Sequence, residues 1–183
     1  MTAALAPALV MVLGAYVAAR PPGALDVAST ALRGGATPLA VVFTRSGYWY
    51  VLVGVFVLLF GGAILMRAQP FAFAVLGAVQ VISQLAAGAV KDLFRRSRPD
   101  DWIVHHELGY SFPSGHAVTA VVFYGGLLVL AWSIPAPRTV RVFATVVLAA
   151  WMLGIPWSRM ALGAHYATDV IGGLLFGAGW LCL

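Results

Sequence analysis

The sequence predicts an all-α integral membrane protein: six transmembrane helices in one bundle, with the polar chemistry gathered at one membrane face. Three observations carry this reading. First, 62% of the 183 residues are hydrophobic and 9% are charged, where an ordinary soluble domain carries about a quarter charged residues. The mean hydropathy is +0.94. A soluble chain of this size must clothe its surface in polar side chains, so a soluble domain, a disordered chain, a coiled coil and a disulfide scaffold are excluded. Second, six apolar segments each approach the roughly 20 residues that cross a bilayer. Third, the ionisable residues between those segments fall almost entirely on one side. A single domain over residues 1–183 is expected.

The segments run Ala3–Ala19, Tyr48–Met66, Phe71–Val90, Ala117–Ile134, Val142–Trp157 and Tyr166–Leu183. The first lacks the basic stretch that opens a signal peptide, so it is expected to be a retained helix. Residues 20–47 carry Pro21, Pro22 and a Gly34-Gly35 break between two short amphipathic stretches, which are expected to lie along the interface. The links at 67–70 and 135–139 are too short to hold a site. Residues 91–113 form the most polar stretch.

With six spans, the three longer connections face the same side. There lie Asp26, Asp92, Asp100, Asp101, Glu107 and Asp169, which are all the acidic residues, and all the histidines, His105, His106, His116 and His165. Only Arg67, Arg138 and Arg141 carry charge on the other side. The net charge of +5 rests on 11 Lys/Arg in short segments between apolar runs. Such residues orient helices or hold anions at a membrane surface, and no nucleic-acid partner is expected. Cys182 is the single cysteine and has no intrachain partner.

Three clusters carry chemistry. In Lys91-Asp-Leu-Phe-Arg-Arg-Ser-Arg98-Pro99, the cations Lys91, Arg95 and Arg98 fall at i, i+4 and i+7. If the third segment runs on as a helix, they share one face. Pro99 then turns the chain. Cations spaced so closely repel unless an anion sits among them; the plainer reading is a juxtamembrane basic cluster that holds lipid headgroups. In Tyr110-Ser-Phe-Pro113-Ser114-Gly115-His116, Pro113 and Ser114 suit a helix start. The same helix start offers free N–H groups to a phosphate, with Gly115 allowing close approach and His116 placed to donate a proton. In Ser158-Arg159-x5-His165-x3-Asp169, the last two residues stand at i, i+4 where segment six begins. A carboxylate there fixes the imidazole tautomer and leaves the other nitrogen free as nucleophile or base. A structural His–Asp pair is the plainer alternative, but ionisable groups in membrane segments are costly and functional by default.

Taken together, Lys91-x6-Arg98-Pro99, Pro113-Ser114-Gly115-His116 and Ser158-Arg159-x5-His165-x3-Asp169 resemble the three-part signature of the type 2 phosphatidic acid phosphatase family. This is the membrane lipid phosphate phosphatase branch of the superfamily that also holds the vanadium haloperoxidases. All eleven signature positions are present, in order, over residues 91–169. The resemblance implies that His165 attacks phosphorus and becomes phosphohistidine, that Asp169 orients it, and that His116 protonates the leaving group. It implies that Lys91, Arg98, Ser114, Gly115 and Arg159 bind the phosphoryl oxygens. Arg95 lies outside the signature and is held as a headgroup contact. Cations spread around an equatorial phosphoryl group and two histidines in line meet the needs of phosphoryl transfer, so no cofactor or divalent metal is expected.

The expected function is removal of phosphate from a lipid phosphomonoester or diphosphate that enters from the bilayer: phosphatidic acid, phosphatidylglycerol phosphate, or a polyprenyl phosphate or diphosphate. A lipid phosphotransferase with the same phosphohistidine, a non-catalytic lipid-binding or transport protein, and a metallohydrolase are the alternatives. Tail and headgroup selectivity fall to residues 20–47 and 102–110. Gln80, Ser83 and Gln84 are expected to bond between helices; Arg96, His105 and His106 lie outside the signature, and the two histidines are expected to be solvated loop residues. The protein is expected to be multi-pass in the cell membrane. A count of Lys/Arg alone favours a cytoplasmic site; the resemblance favours an extracytoplasmic one.

Overall fold

The computed structural model describes residues 5–100, 102–103 and 107–182. Asp101, His105 and His106 lie outside the described residues. The elements are α1 (Leu5–Ala18), α2 (Ala24–Ser29) with a 3-10 turn at Thr30–Leu32, α3 (Thr37–Ser46) and α4 (Trp49–Leu65). They continue with α5 (Pro70–Phe94), α6 (Gly115–Ser133), α7 (Arg138–Ala161) and α8 (Ala167–Leu181). The described residues form helices and turns, with no strand among them.

Helices α5, α6 and α7 are long and apolar enough to cross a membrane. Helices α3 and α4 bend by 59° at Gly47 and would together make a fourth span. The described part of α1 has 14 residues and α8 has 15, short of the roughly 20 that span hydrocarbon unaided. Side chains such as Leu58, Leu65, Phe143 and Leu153 are more than two-thirds exposed on the outer faces. That is the pattern of a surface that meets lipid rather than water.

Helix boundaries differ from the expected ones for local reasons. The third segment continues beyond Val90 to Phe94, where Arg95 adopts a left-handed conformation (φ 49°) and its N–H bonds the Lys91 carbonyl. The helix stops there. Lys91 is therefore in its last turn, whereas Arg95 and Arg98 lie beyond it, and the shared helical face expected for the three cations does not form. The fifth segment runs from Arg138 through Pro156 to Ala161 and ends against Gly163, whose φ is +72°. This carries Arg159 into the last helical turn rather than a loop. The two short stretches expected within residues 20–47 correspond to the helices α2 and α3, and α3 packs along α7.

The core lies between α4, α6 and α7, where Leu52, Phe123, Tyr124 and Ile155 are buried with Phe43 and Trp151 against them. Helix α8 packs on α1 and α6. A Cβ on Gly173 would stand 2.4 Å from the Ser114 carbonyl, so only glycine lets α8 seat this closely against the start of α6. The Ser114 N–H, in turn, bonds the Asp169 carbonyl at 3.0 Å. The chain alternates direction, so the ends of α5 and α7 and the starts of α6 and α8 meet at one end of the bundle.

Candidate active site

That meeting point holds the motif residues. His165 lies in the turn between α7 and α8, one step before the capping Tyr166, and is 3% exposed. The expected placement of His165 and Asp169 on one helical turn is therefore corrected: only Asp169 is helical. The turn is tight because two N–H groups, of Ala164 and His165, bond the Arg159 carbonyl.

The two ring nitrogens of His165 have different neighbours. Nε2 lies 3.1 Å from Arg98 Nη1. A guanidinium only donates, so Nε2 is the acceptor and the proton of the neutral ring sits on Nδ1. Nδ1 faces Asp169 Oδ2 at 3.5 Å and has no closer hydrogen bond. Distances of this kind tighten when a reacting complex forms. Burial holds the imidazole well below the ordinary histidine range, and Lys91, Arg98, Arg159 and His116 push it the same way. The ring is thus kept neutral, with its Nε2 lone pair directed at cations.

Asp169 is fully buried. Its Oδ2 accepts from the Tyr166 N–H at 2.9 Å, capping α8, and its Oδ1 accepts from Arg96 Nη1 at 2.5 Å. Arg96 also donates to Thr168 Oγ1 at 2.7 Å and to Asp26 Oδ2 at 2.6 Å. Arg96 and Asp26 are 6% and 1% exposed. Sequence reasoning set Arg96 outside the signature and gave Asp26 no role. A signal existed for Asp26: it is the only acidic residue before Asp92, in a stretch that is otherwise apolar and small.

On the other side of His165 lie the cations. Lys91 Nζ bonds the carbonyls of Tyr110 and Ser111 at 2.8 and 3.3 Å. Arg98 bonds the carbonyls of Gly109 and Ala164, and burial lowers its guanidinium pKa from the usual value while Glu107 opposes the shift. Arg159 is 1% exposed and donates to Thr44 Oγ1 of α3. Its Nη2 lies 2.5 Å from Glu107 Oε1, close but off the N–H direction, so the contact is an ion pair without a formed hydrogen bond. Arg98 stands 3.6 Å from the other Glu107 oxygen. Glu107 thus occupies the space between the two arginines. Nothing in its own motif context marks it, since it lies between signature elements.

His116 opens α6 beneath this cluster. Its Nε2 donates to the Thr44 carbonyl at 3.2 Å, which leaves Nδ1 for the site. Gly47 faces the same ring, and a Cβ there would stand 2.5 Å from His116 Cδ2. Ser114 is the helix N-cap by backbone, but its buried hydroxyl makes no capping bond and has no hydrogen-bond partner. Ser158 turns its hydroxyl back to the Ile155 carbonyl at 2.7 Å. Gln80 and Gln84 bond Thr119, and Gln84 also bonds the Gly115 carbonyl.

Lys91, Arg98, Glu107, Gly115, His116 and His165 line one cavity of about 460 Å³. Arg159 borders a smaller cavity beside it with Thr44 and Glu107. Arg95 is not brought to the site: it is exposed and donates to the Asp92 carbonyl. Leu52, Val53, Gln80 and Val81 continue from the polar cavity into an apolar one of about 600 Å³ between α4 and α5, lined also by Phe56, Phe60 and Gly77.

The architecture is shared with a crystal structure of a transmembrane PAP2-type phosphatidylglycerolphosphate phosphatase from Bacillus subtilis, at a TM-score of 0.81 over 98% of this chain and 92% of that one, with 22% identity. Among curated relatives, a lipid A 1-phosphatase of Rhizobium etli is 36% identical over 56% of this chain and 44% of its own length. The chain thus spans less than half of that relative. A decaprenylphosphoryl-5-phosphoribose phosphatase of Mycolicibacterium smegmatis is 29% identical over 76% of this chain and 69% of its own. Residues 70–183 match the PAP2 superfamily along their whole extent, which takes in α5 to α8 and every signature residue, and the chain belongs to that superfamily.

Proposed function

We propose that the protein is a membrane-embedded lipid phosphate phosphatase working through a phosphohistidine. The observation that carries this reading is the His165 ring. Its Nε2 lone pair points to Arg98 in a cavity shared with Lys91 and His116, while its Nδ1 faces a carboxylate.

In this reading the phosphoryl group enters among Lys91, Arg98 and Arg159. Among the described residues, the Nε and Nη2 of Arg159 and the hydroxyl of Ser114 are buried without hydrogen-bond partners, and buried donors of this kind are costly unless an acceptor satisfies them. Phosphoryl oxygens suit them, with the Glu107 carboxylate giving way. Gly115 leaves the backbone at the start of α6 open to the same anion. His165 Nε2 bonds to phosphorus as the bond from phosphorus to the leaving oxygen breaks, and a doubly protonated His116 gives its Nδ1 proton to that oxygen. Asp169 takes up the interaction with Nδ1–H as positive charge builds on the ring. Water then attacks phosphorus, His116 accepts its proton, and the P–N bond breaks to release phosphate and neutral His165. Three cations supply the charge stabilisation, so no metal is required.

The relatives are named for different molecules, but each name carries phosphate on a lipid-anchored group. The apolar cavity between α4 and α5 opens from the polar one and suits such a tail. We place six spans in the membrane, with α1 and α8 as the short ones, and the site on the extracytoplasmic face. Labelling of cysteines introduced in residues 20–47 tests the orientation: labelling of that loop only after cell lysis reverses it.

The deciding experiment is phosphate release by the purified protein in detergent, across phosphatidic acid, phosphatidylglycerol phosphate and a polyprenyl diphosphate. Activity is expected to survive EDTA and to be inhibited by vanadate, which mimics the five-coordinate phosphoryl group on His165. Loss in EDTA that magnesium or zinc restores overturns the metal-free mechanism. Insensitivity to vanadate argues for His165 as a base acting on water instead.

A further inference from the structure

The face of His165 turned away from the cavity is built from residues that no step above uses. Asp26, from the short helix α2, has both carboxylate oxygens occupied: Oδ1 accepts from the Thr168 N–H at 2.9 Å and hydroxyl at 2.8 Å, and Oδ2 from Arg96 at 2.6 Å. Arg96 then spans from Asp26 to Asp169. Among the described residues, every hydrogen bond to the Asp26 carboxylate comes from Thr168, the neighbour of Asp169, or from Arg96, its cation.

We propose that Asp26 and Arg96 are positioning residues for the phosphoryl-transfer reaction, which together fix the Asp169 carboxylate behind the nucleophile. The proposal rests on the reading of His165 as that nucleophile. Asp169 has two oxygens, and its roles differ between them. Oδ2 must serve the Tyr166 N–H and His165 Nδ1, while Oδ1 is held by Arg96. A carboxylate free to rotate would present either oxygen to the ring, at variable distance. Arg96 holds Oδ1 while the Tyr166 N–H holds Oδ2, and the planar guanidinium is itself fixed by Asp26 and Thr168, so the carboxylate is anchored at both oxygens. A lone cation beside Asp169 would also cancel the negative charge that His165 must feel as its ring becomes positive. Asp26 answers this by taking the second ion pair of Arg96, which leaves the Asp26–Arg96–Asp169 set with one net negative charge.

A purely structural role, tying α2 to α8, makes a different forecast. It would lower stability without changing turnover per folded enzyme. The test is steady-state kinetics of Asp26→Asn and Arg96→Gln on the best lipid phosphate from the panel, with thermal unfolding in the same detergent. Both variants are expected to lose kcat by about 10–100-fold, in the range typical of groups that orient a reacting ligand. KM should stay within about threefold, since neither residue lines the phosphate cavity.

The acid limb of kcat/KM gives a second readout. His165 is also faced by Lys91 from α5, Arg98 and Asp169 beside it, Glu107 beyond Arg98, Arg159 from α7 and His116 from α6; these are unchanged in either variant. Removing the Arg96 cation lets the ring hold its proton to higher pH, so the limb moves up. Removing the Asp26 anion moves it down. A structural tie gives no such opposite shifts. The double variant Asp26→Asn/Arg96→Gln removes one charge of each sign. It is expected to recover stability lost by the single variants but not kcat, and it serves as the assay if a single variant does not fold.

Wild-type kcat in either folded single variant or in the double variant, or acid limbs that move together, overturns the positioning roles while the phosphatase reading stands. A wild-type protein silent across the whole lipid panel overturns that reading and this proposal with it.

Discussion

The two sides of the His165 ring differ in how completely their polar groups are satisfied. Behind the ring, Asp26, Arg96, Thr168 and Asp169 engage one another in a closed set, with each carboxylate oxygen bonded and the arginine 6% exposed. In front, Arg159 is as deeply buried, yet among the described residues its Nε and Nη2 have no formed hydrogen bond, and Glu107 pairs with Nη2 off the N–H direction. Burying a charge is costly unless it is paired and hydrogen-bonded. The rear therefore stabilises one geometry, and the front holds donors that the phosphoryl group of the proposed mechanism would complete. On that reading one side positions and the other binds.

Substitution of the ring itself joins the two sides and has the largest effect. His165→Ala should abolish turnover, by at least about 10⁴-fold, because no other signature side chain replaces an enzyme nucleophile. The protein should stay folded, with an unchanged elution profile in detergent. Residual activity near the His116→Ala level would break the assignment.

His116→Ala comes next. A lost general acid costs about 10²–10⁴-fold. The loss should be greater on a phosphomonoester than on a diphosphate, because phosphate leaves with less need of a proton than an alkoxide. Equal losses on the two substrates would contradict the role.

Arg159→Ala sharpens the contrast between front and back. Removing a preorganised donor from developing charge costs about 10²–10³-fold in kcat. If Arg159 also meets the ground-state phosphate, as proposed, KM should rise as well, whereas variants behind the ring should leave KM alone. If Arg159→Ala lowered kcat with KM unchanged, the division between binding and positioning sides would fail.

Gly47→Ala probes the same front indirectly and should act more weakly. The added Cβ would stand 2.5 Å from His116 Cδ2, so the ring must shift by several tenths of an ångström. A misplacement on the order of 1 Å costs about 10²-fold, and a smaller shift should cost about tenfold or less. Wild-type kcat would show that His116 has room to move.

How much of this was written in the sequence depends on which side of the ring a residue serves. The cations in front, His116, His165 and Asp169 are legible because their spacing is fixed by helix ends: Lys91 closes α5, Ser114 and Gly115 open α6, Arg159 closes α7 and Asp169 opens α8. Local geometry and motif coincide there. The six apolar segments are equally legible, since hydrophobicity is additive along a helix; each has a helix beneath it, with described parts of 14 residues in α1 and 15 in α8. Asp26, Thr44 and Gly47 reach the site only by tertiary packing of α2 and α3, which leaves no periodic trace. Arg95 illustrates the converse. Helical spacing placed it with Lys91, and one left-handed residue at the helix end sent it outward while delivering Arg96 inward. Neighbours in sequence thus exchange roles through a single backbone angle.

The smallest effect expected is a displacement along the pH axis, and its sign follows from the front of the ring. An exposed histidine titrates near pH 6.5. Burial disfavours the charged form of His165, and Lys91, Arg98, Arg159 and His116 repel a proton further, so the folded protein holds this group neutral to lower pH. In the proposed mechanism the attacking species is the neutral ring. Activity should therefore persist as pH falls through 6.5, and the acid limb of kcat/KM attributable to His165 should lie below that value. The sign for stability is the same: the unfolded chain binds the proton more readily, so the contribution of this group is full above pH 6.5 and is lost as the pH drops toward the depressed value. Replacing one front cation, in Arg98→Gln, removes a repulsion and should move the limb upward by a fraction of a unit. The measurement is kcat/KM against pH for wild type and Arg98→Gln on one substrate, so that titration of the lipid phosphate is common to both. The charge of Arg98 and the hydrogen bond it donates to Nε2 both favour the neutral ring, so a downward move would mean that Arg98 serves the orientation of the ring and not the proton on Nε2. The front would then share the positioning role that the comparison assigns to the back alone.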